Sequence, residues 1–193
     1  MAQEVDQEAW LQAYLKCLDE AAIKISPRLL NTVFFGGGTP SLMSPKLVSE
    51  IMNRIKCLWT VSNDLEVTLE ANPSSFEANK FKEYYDAGIN RLSVGVQALN
   101  DKDLKRLGRL HSVSEAINAV EISNSIFNHT SLDLIYARQD QTIDDWSAEL
   151  TRALELETKH LSLYQLTIED GTPFGNLSKK GKLKGLPVDD QAA

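Results

Sequence analysis

Apolar, β-branched segments alternate with amphipathic helical segments along the 193 residues of this chain. The first helical stripe begins near Asp6, and the second follows Ser44-Pro45, a pair typical of a helix cap and its first residue. The spacing between successive strand starts suits βα units, which favour a parallel sheet. The pattern therefore predicts an α/β protein with strands that begin near Asn31, Leu65, Arg91, Thr130 and His160.

Three further helices are predicted after the second one. Residues 75–87 form one helical pattern that ends at a glycine, a residue type suited to helix C-termini. Ser112-x-x-Glu115 and Thr142-x-x-Asp145 resemble capping boxes, which start helices. Each of these helices lies between two predicted strands, as a βα connection requires.

The strands are not continuously apolar, as buried parallel strands usually are. Residues 65–70, 91–97 and 131–136 alternate between apolar and polar side chains. One face of the sheet is therefore predicted to pack on helices and the other to be polar. A closed eight-stranded barrel fills its interior with bulky apolar side chains. We therefore expect a wider, partial barrel whose polar concave face holds water or a ligand.

A glycine-rich loop follows the first predicted strand, in the segment FFGGGTPSL at residues 34–42. Glycine has no Cβ, so this backbone can approach a ligand closely. The loop is not a standard phosphate cradle, because no lysine follows before Lys46 and Ser41 replaces the third glycine of a dinucleotide fingerprint. A tight strand-to-helix turn without a ligand remains the alternative.

Polar side chains also end several other strands. Glu70, Gln97 and Asp133 fall at or near the C-terminal ends of their strands, where α/β folds bind ligands. Glu70 and Asp133 suit an ammonium group or sugar hydroxyls, and Arg109 suits a carboxylate. Solvated strand ends often carry carboxylates, but the convergence of several strands favours a small-molecule site.

Charge and composition narrow the function further. The formal net charge of −7 argues against a nucleic-acid partner, since phosphates would be repelled. No apolar run is long enough to span a membrane and no signal-peptide pattern opens the chain, so a cytoplasmic protein is expected. Cys17 and Cys57 lie in amphipathic helical patterns and are predicted to be buried thiols. The scattered histidines (His111, His129 and His160) give no metal-site spacing, so no metal ligand is predicted.

Six ordered segments resemble one known family, the radical S-adenosylmethionine (SAM) proteins related to oxygen-independent coproporphyrinogen III oxidase. They are FFGGGTPSLM (34–43), LEANPSSF (69–76), RLSVGVQALND (91–101), LKRLGRLHS (104–112), SLDLIYA (131–137) and HLSLYQLTIEDGTPF (160–174). Together they cover almost the whole chain. The resemblance implies a partial (β/α)6 barrel with a broad lumen.

The resemblance also implies a cofactor and the residues that hold it. SAM would be bound by Gly37, Gly38, Thr39, Glu70, Gln97, Arg109, Asp133 and Thr167. The LGRLH and SLYQLTIEDGTPF segments look more like the heme-chaperone branch, whose members bind SAM and heme and serve heme-acceptor proteins. Decarboxylation of coproporphyrinogen III by radical chemistry is the alternative, because both branches share the SAM residues.

Departures from the family pattern set further expectations. The family holds a [4Fe–4S] cluster in a CxxxCxxC loop after its first strand, and neither that loop nor that strand is found here. We therefore expect a partial barrel over residues 1–175 without its first strand, no catalytic residues for SAM cleavage, and an exposed tail over 176–193 where the family's C-terminal domain would begin. The strand that contains Val33 should form an uncovered edge, and an inactive truncated product is a further alternative. Residues 138–141 replace a proline-containing loop, so the geometry of that loop stays open.

Overall fold

The computed structural model describes residues 6–186, apart from the side chains of residues 75 and 76. Its strands are β1 (Leu29–Phe35), β2 (Thr60–Ala71), β3 (Arg91–Gln97), β4 (His129–Tyr136) and β5 (His160–Gln165). Its helices are α1 (Gln7–Lys24), α2 (Pro45–Leu58), α3 (Ser75–Ala78), α4 (Phe81–Asp86), α5 (Asp101–Arg106), α6 (Val113–Ile126), α7 (Ile143–Leu154) and α8 (Pro173–Lys179), with a 3-10 turn over Pro40–Leu42.

The sheet is parallel throughout, with its strands in chain order from β1 to β5. Chain-order pairing through βα crossovers curls the sheet into an open half-barrel, which confirms the predicted α/β class. Among the described residues β1 and β5 form the two edges. The edge at β1 is apolar, with Phe34 61% exposed, as the sequence predicts.

The core lies between the convex face of the sheet and the helices. Alternating residues of the central strands point into it, including Leu69 on β2, Val94 on β3 and Leu132 on β4, all fully buried. Ser44 caps α2 by accepting the backbone N–H of Leu47. The other face of these strands carries the polar set, so the predicted division of the sheet into two faces is confirmed.

The structure confirms the predicted capping boxes but not the predicted third helix. Both boxes are present, at Ser112 with Glu115 and at Thr142 with Asp145. The single helix predicted over 75–87 is wrong, since α3 and α4 are separate. At Lys80 the backbone N–H donates to the carbonyl of Glu77, three residues back, so the i to i−4 ladder is interrupted there.

The prediction of two buried thiols is also wrong, because Cys17 and Cys57 are both exposed. On α2 the buried stripe includes Ile51 and Ile55, and Cys57 lies two residues after Ile55, on the opposite side of the helix. Helix α1 packs less closely than its apolar stripe predicts, since none of its residues is fully buried and Trp10 is 54% exposed.

The domain division at residue 175 stays a prediction. Helix α8 runs across that position, and residues 187–193 lie outside the described part of the chain. Between residues 6 and 186, no helix combines the length and the apolar character needed to cross a membrane.

Candidate functional site

A cavity of about 350 Å³ opens at the C-terminal ends of the strands, on the polar face. Six of the eight predicted site residues line it: Gly38, Thr39, Glu70, Gln97, Arg109 and Asp133. Gly37 lies beside it and bonds to Glu70. Thr167 lines a neighbouring cavity of about 240 Å³, which shares Arg109 and Ile135 with the first. The topology thus brings together residues that are far apart in the sequence.

The glycine loop wraps one end of this cavity. Gly37 and Gly38 have φ values of 80° and 51°, in the left-handed region that favours glycine. The backbone N–H of Gly37 donates to Oε2 of Glu70 over 3.1 Å. This bond fixes the loop against the end of β2, and it holds the Glu70 carboxylate at the cavity wall.

A buried network behind the loop was not predicted from the sequence. The Glu77 carboxylate, only 6% exposed, accepts the Ser41 hydroxyl and, over 2.9 Å, the backbone N–H of Asn72. The Tyr84 hydroxyl lies 2.7 Å from the Ser41 carbonyl oxygen and 2.8 Å from that of Met43, and can donate to either. We call Glu77, Ser41, Asn72 and Tyr84 the Glu77 network. It joins the turn after the glycines to the end of β2.

The Tyr84 hydroxyl remains protonated in this network. Burial raises the pKa of Tyr84 well above its ordinary value, and the nearby carboxylates of Glu77 and Glu83 raise it further. The hydroxyl therefore keeps its proton and stays a donor to the backbone carbonyls of the loop.

Asp133 lies near the end of β4, on the cavity side. Burial raises the pKa of its carboxyl, and Glu70 adds to that effect, while hydrogen bonds from Ser93 and Ser162 and the charge of His160 oppose it. The Ser93 hydroxyl donates to Asp133 over 2.9 Å. Asp133 and Glu70 thus give the cavity two carboxyl groups, which suit hydroxyl or ammonium donors of a ligand.

Arg109 brings the opposite charge. It follows α5, and its backbone N–H donates to the carbonyl of Leu104. Burial lowers the pKa of the Arg109 guanidinium from its usual high value. His111, two residues on, donates from Nε2 to the Val96 carbonyl over 3.1 Å, which fastens the Arg109 segment to the end of β3.

Gln97 ends β3 in an unusual backbone conformation. Its φ of 70° is in the left-handed region, which non-glycine residues seldom adopt. The side-chain amide folds back over Gly95, where a Cβ would lie 2.8 Å from the Gln97 nitrogen. Gly95 therefore leaves room for the Gln97 side chain at the cavity.

A second polar row crosses the sheet on the same face. Arg91 pairs with Glu66 at 3.1 Å and donates to the Ser131 hydroxyl over 2.8 Å. Ser131 in turn lies 3.1 Å from Nδ1 of His160. These groups bond to one another across β2, β3, β4 and β5. They support the polar face and are not among the residues that line the 350 Å³ cavity.

A larger, apolar cavity of about 560 Å³ lies on the other side of the glycine loop. Its walls include Trp10, Tyr14, Phe34 and Met43, and it shares Gly38 and Thr39 with the polar cavity. The glycine loop therefore separates one polar and one apolar cavity.

The donors and acceptors of the polar cavity fit SAM, which carries an ammonium group, a carboxylate and ribose hydroxyls. The cysteines do not fit an iron–sulfur cluster. The chain has two, both exposed on helices, and the part that the structure describes holds no group of three His, Cys, Asp or Glu side chains placed for a metal ion. A cluster held by three cysteines needs thiolates that these 193 residues do not supply.

An open parallel half-barrel with a small-molecule site at its C-terminal rim is the class of protein that this geometry defines. The sequence model of the Radical SAM superfamily matches residues 16–152, which is most of the chain. The chain belongs to the radical SAM superfamily.

Curated relatives are similar over nearly the whole chain. The heme chaperone HemW of Escherichia coli is 38% identical over 174 residues, which are 90% of this chain and 46% of that protein. The HemW of Haemophilus influenzae is 42% identical over 86% of this chain and 42% of that protein. The mitochondrial radical S-adenosyl methionine domain-containing protein 1 of Dictyostelium discoideum is 42% identical, over 92% of this chain and 42% of that protein. The chain therefore spans about half the length of the relatives that it matches.

A solved structure confirms the fold. Coproporphyrinogen III oxidase (HemN) from Escherichia coli superposes with a TM-score of 0.82 at 24% identity, over 100% of this chain and 44% of that one. At this identity the likeness concerns the fold alone. The expected partial radical SAM barrel is thereby confirmed.

Proposed function

We propose that this chain is the SAM-binding barrel portion of a heme chaperone of the HemW type. The observation that carries the proposal is the convergence of the glycine loop, two carboxyl groups and one guanidinium on a single cavity of about 350 Å³. Relatives named as heme chaperones, at 38% and 42% identity, support the same choice. They do not favour the coproporphyrinogen oxidase alternative.

The proposed roles follow from the charge of each group. Gly37, Gly38 and Thr39 would hold the methionine end of SAM: Gly38 and Thr39 offer backbone amides and a hydroxyl, and the N–H of Gly37 keeps Glu70 in place beside them. Glu70 suits the ammonium group, and Asp133 suits the ribose hydroxyls. These assignments rest on complementary charge and on hydrogen-bond chemistry.

Three further residues complete the proposed set. Arg109 suits the carboxylate of SAM in fork geometry. Gln97 offers an amide at the end of β3, and Thr167 lies at the neighbouring cavity, from which it would reach the remote end of the ligand. Bound SAM supplies a sulfonium centre that is open to reductive cleavage where a cluster provides the electron. These 193 residues would bind and orient SAM, and their two cysteines do not supply the three thiolates that such a cluster needs.

Heme binding and heme delivery are proposed for a longer protein, since this chain spans about half the length of its relatives. We propose that the protein binds heme and passes it to a heme-protein acceptor, as the names of the relatives imply, and that it acts in the cytoplasm. The apolar cavity beside the glycine loop would put an apolar ligand next to SAM.

The direct test is isothermal titration of SAM into the chain, with separate titration of heme followed by its Soret absorption. We expect saturable SAM binding that weakens about tenfold to a hundredfold in Glu70→Gln, because the ammonium group of SAM then faces a neutral amide instead of a carboxylate. Glu66→Gln is the matched control, since Glu66 lies on the same face of β2 but outside the cavity. A folded protein that shows no saturable SAM binding would overturn the SAM site, and one that binds SAM but not heme would limit the heme proposal to the longer protein.

A further inference from the structure

Arg138 is a charged residue at a buried position, in a loop whose geometry the sequence leaves open. It is 3% exposed, between β4 and α7. Its guanidinium donates from Nε to Asp103 over 3.1 Å and from Nη2 to Glu149 over 2.6 Å, and from Nη1 to the carbonyl of Ile135. We call Arg138, Asp103 and Glu149 the Arg138 triad.

The two carboxylates of the triad belong to helices that lead to different parts of the site. Asp103 lies on α5, and the chain after α5 carries Arg109. Glu149 lies on α7, and its second carboxylate oxygen accepts the backbone N–H of Leu99 over 2.6 Å, two residues after Gln97. One guanidinium thus connects the segments that carry Arg109 and Gln97.

The third bond of Arg138 reaches β4 itself. Ile135, whose carbonyl accepts from Nη1, lines the cavity and lies two residues after Asp133. Because the guanidinium is planar and rigid, its three nitrogens hold these acceptors in fixed directions. Neither a lysine nor an apolar side chain can do this.

We propose that Arg138 is a positioning residue of the ligand site, which sets the relative placement of Gln97, Arg109 and Asp133 without touching the ligand. The proposal rests on the proposed function for its ligand, SAM. Preorganisation of binding groups matters because a displacement of about 1 Å in a site residue can lower affinity or rate by a large factor.

A neighbouring arginine provides the matched control. Arg106 pairs with Asp140 at 2.8 Å and donates to the carbonyl of Gln139, both in the loop after β4, and it lies 3.7 Å from Asp103. Its side chain is 32% exposed, against 4% for Arg138. Both arginines line the same surface cavity. Replacement of Arg106 removes a charge of the same type and leaves the bonds from Arg138 to Ile135 and Glu149 in place.

The experiment separates positioning from stability by restoring charge balance. Arg138→Met alone leaves the buried Glu149 carboxylate without a cation and Asp103 with only the more distant Arg106, so this variant should unfold at lower urea concentration. The triple variant Asp103→Asn, Arg138→Met, Glu149→Gln removes all three charges, and the side-chain amide introduced in place of the Glu149 carboxylate can still accept from the N–H of Leu99. We expect the triple variant to recover most of the lost urea resistance and still to bind SAM about tenfold or more weakly. Arg106→Met should bind SAM like the unmodified chain.

A ligand-free readout makes the two proposals separable. In amide NMR spectra without SAM, the triple variant should shift the resonances of Gln97, Arg109 and Asp133, the residues whose placement is at issue, and Arg106→Met should leave them in place. Arg138→Lys, which keeps the charge, provides a second folded variant with the same expected loss of affinity. Folded triple and lysine variants that bind SAM like the unmodified chain would overturn the role of Arg138. If the unmodified chain binds no SAM, the proposed function fails, and unshifted amides in the triple variant would then overturn the positioning role as well.

Discussion

The two ends of the polar cavity are held in different ways. At the glycine loop, the Glu77 network bonds mostly to backbone groups of the loop and of the residues that follow β2. At the other end, the Arg138 triad holds β4 and the segments around α5 by charged side chains. The first end is fixed directly at its backbone, and the second is fixed through side chains of helices that surround it.

Each end is therefore vulnerable in its own way. A substitution in the Glu77 network removes one or two hydrogen bonds to backbone groups, so it should lower the free energy of unfolding by a moderate amount. Removal of a single member of a buried triad of charges leaves an unpaired buried charge and strongly lowers the free energy of unfolding. Neutralising all three members together should restore most of that free energy. Four sets of variants test this contrast, two at the glycine loop and two at the opposite end of the cavity, in order of decreasing effect on stability.

Removal of the Glu77 carboxylate should destabilise the glycine loop most. Glu77→Ala leaves the Ser41 hydroxyl and the Asn72 N–H buried without their acceptor, which should lower the free energy of unfolding by about 2–3 kcal/mol. Urea denaturation measures this loss. Glu83→Ala, at an exposed position of α4, is the control and should change little. Equal effects of the two variants would contradict the role of Glu77.

Loss of the Tyr84 hydroxyl should have a smaller effect of the same kind. Tyr84→Phe keeps the ring in the core but leaves the carbonyls of Ser41 and Met43 without this donor, at a cost of about 1 kcal/mol. Tyr85→Phe, at the neighbouring exposed position, is the matched control in the same denaturation assay. A Tyr84→Phe chain as stable as the unmodified one would show that the loop is held without this bond.

Acid should lower the stability of the fold through His111, which attaches the Arg109 segment. Burial lowers the pKa of His111 and Arg109 lowers it further, while the hydrogen bond to Val96 and the charge of Glu115 oppose them, so the folded chain favours the neutral ring. The resulting stability is complete above the unfolded pKa of about 6.5 and is lost as the pH falls from there through the folded pKa. Urea midpoints at about pH 7.5 and about pH 5.5 measure the difference.

Two histidine variants test whether this pH dependence of stability comes from His111. His111→Gln can still donate to the Val96 carbonyl but does not titrate, so its stability should fall less on acidification. His129→Gln, at an exposed position, should keep the slope of the unmodified chain. An unchanged slope in His111→Gln would contradict the assignment to His111.

The smallest change in stability is expected from replacement of Asp133. Its effect on the affinity for SAM should be larger than its effect on stability. Because the folded pKa of Asp133 is raised, its ionisation disfavours folding, and stability falls as the pH rises from about 3.8 through the folded pKa. Asp133→Asn should therefore be slightly more stable at neutral pH and bind SAM more weakly. Thermal unfolding and SAM titration measure both, with the exposed Asp64→Asn as control. A less stable Asp133→Asn with unchanged affinity would contradict both expectations.

Much of this arrangement could be predicted from the sequence, because its signals are local. Alternation along β2, β3 and β4 predicts the polar face, and strand ends predict Glu70, Gln97 and Asp133 at one rim. The positive φ of Gly37 and Gly38 agrees with a loop of bare glycines. Their roles in binding SAM stay predictions.

The parts that could not be predicted depend on contacts between distant residues. Glu77 reaches Ser41 across 36 positions, and Arg138 reaches Asp103 across 35. No periodic pattern in the sequence encodes such pairs. The sequence therefore leaves the geometry of residues 138–141 open and does not predict that Arg138 is buried between two carboxylates. The exposed cysteines are a different case. Cys57 lies off the buried stripe of α2, as helical spacing from Ile55 implies, and Cys17 lies on α1, none of whose residues is fully buried.

Binding of SAM in the polar cavity at the glycine loop underlies the proposed function and the role of Arg138. It can be observed residue by residue when unlabelled SAM is titrated into the ¹⁵N-labelled chain and amide spectra are recorded. We expect saturable shifts at Gly37, Gly38 and Thr39 at one end of the cavity and at Gln97 and Arg109 at the other, with little change at Arg106 and Asp140. Shifts confined to residues outside this cavity, or no saturable shift in a folded chain, would contradict SAM binding at this site.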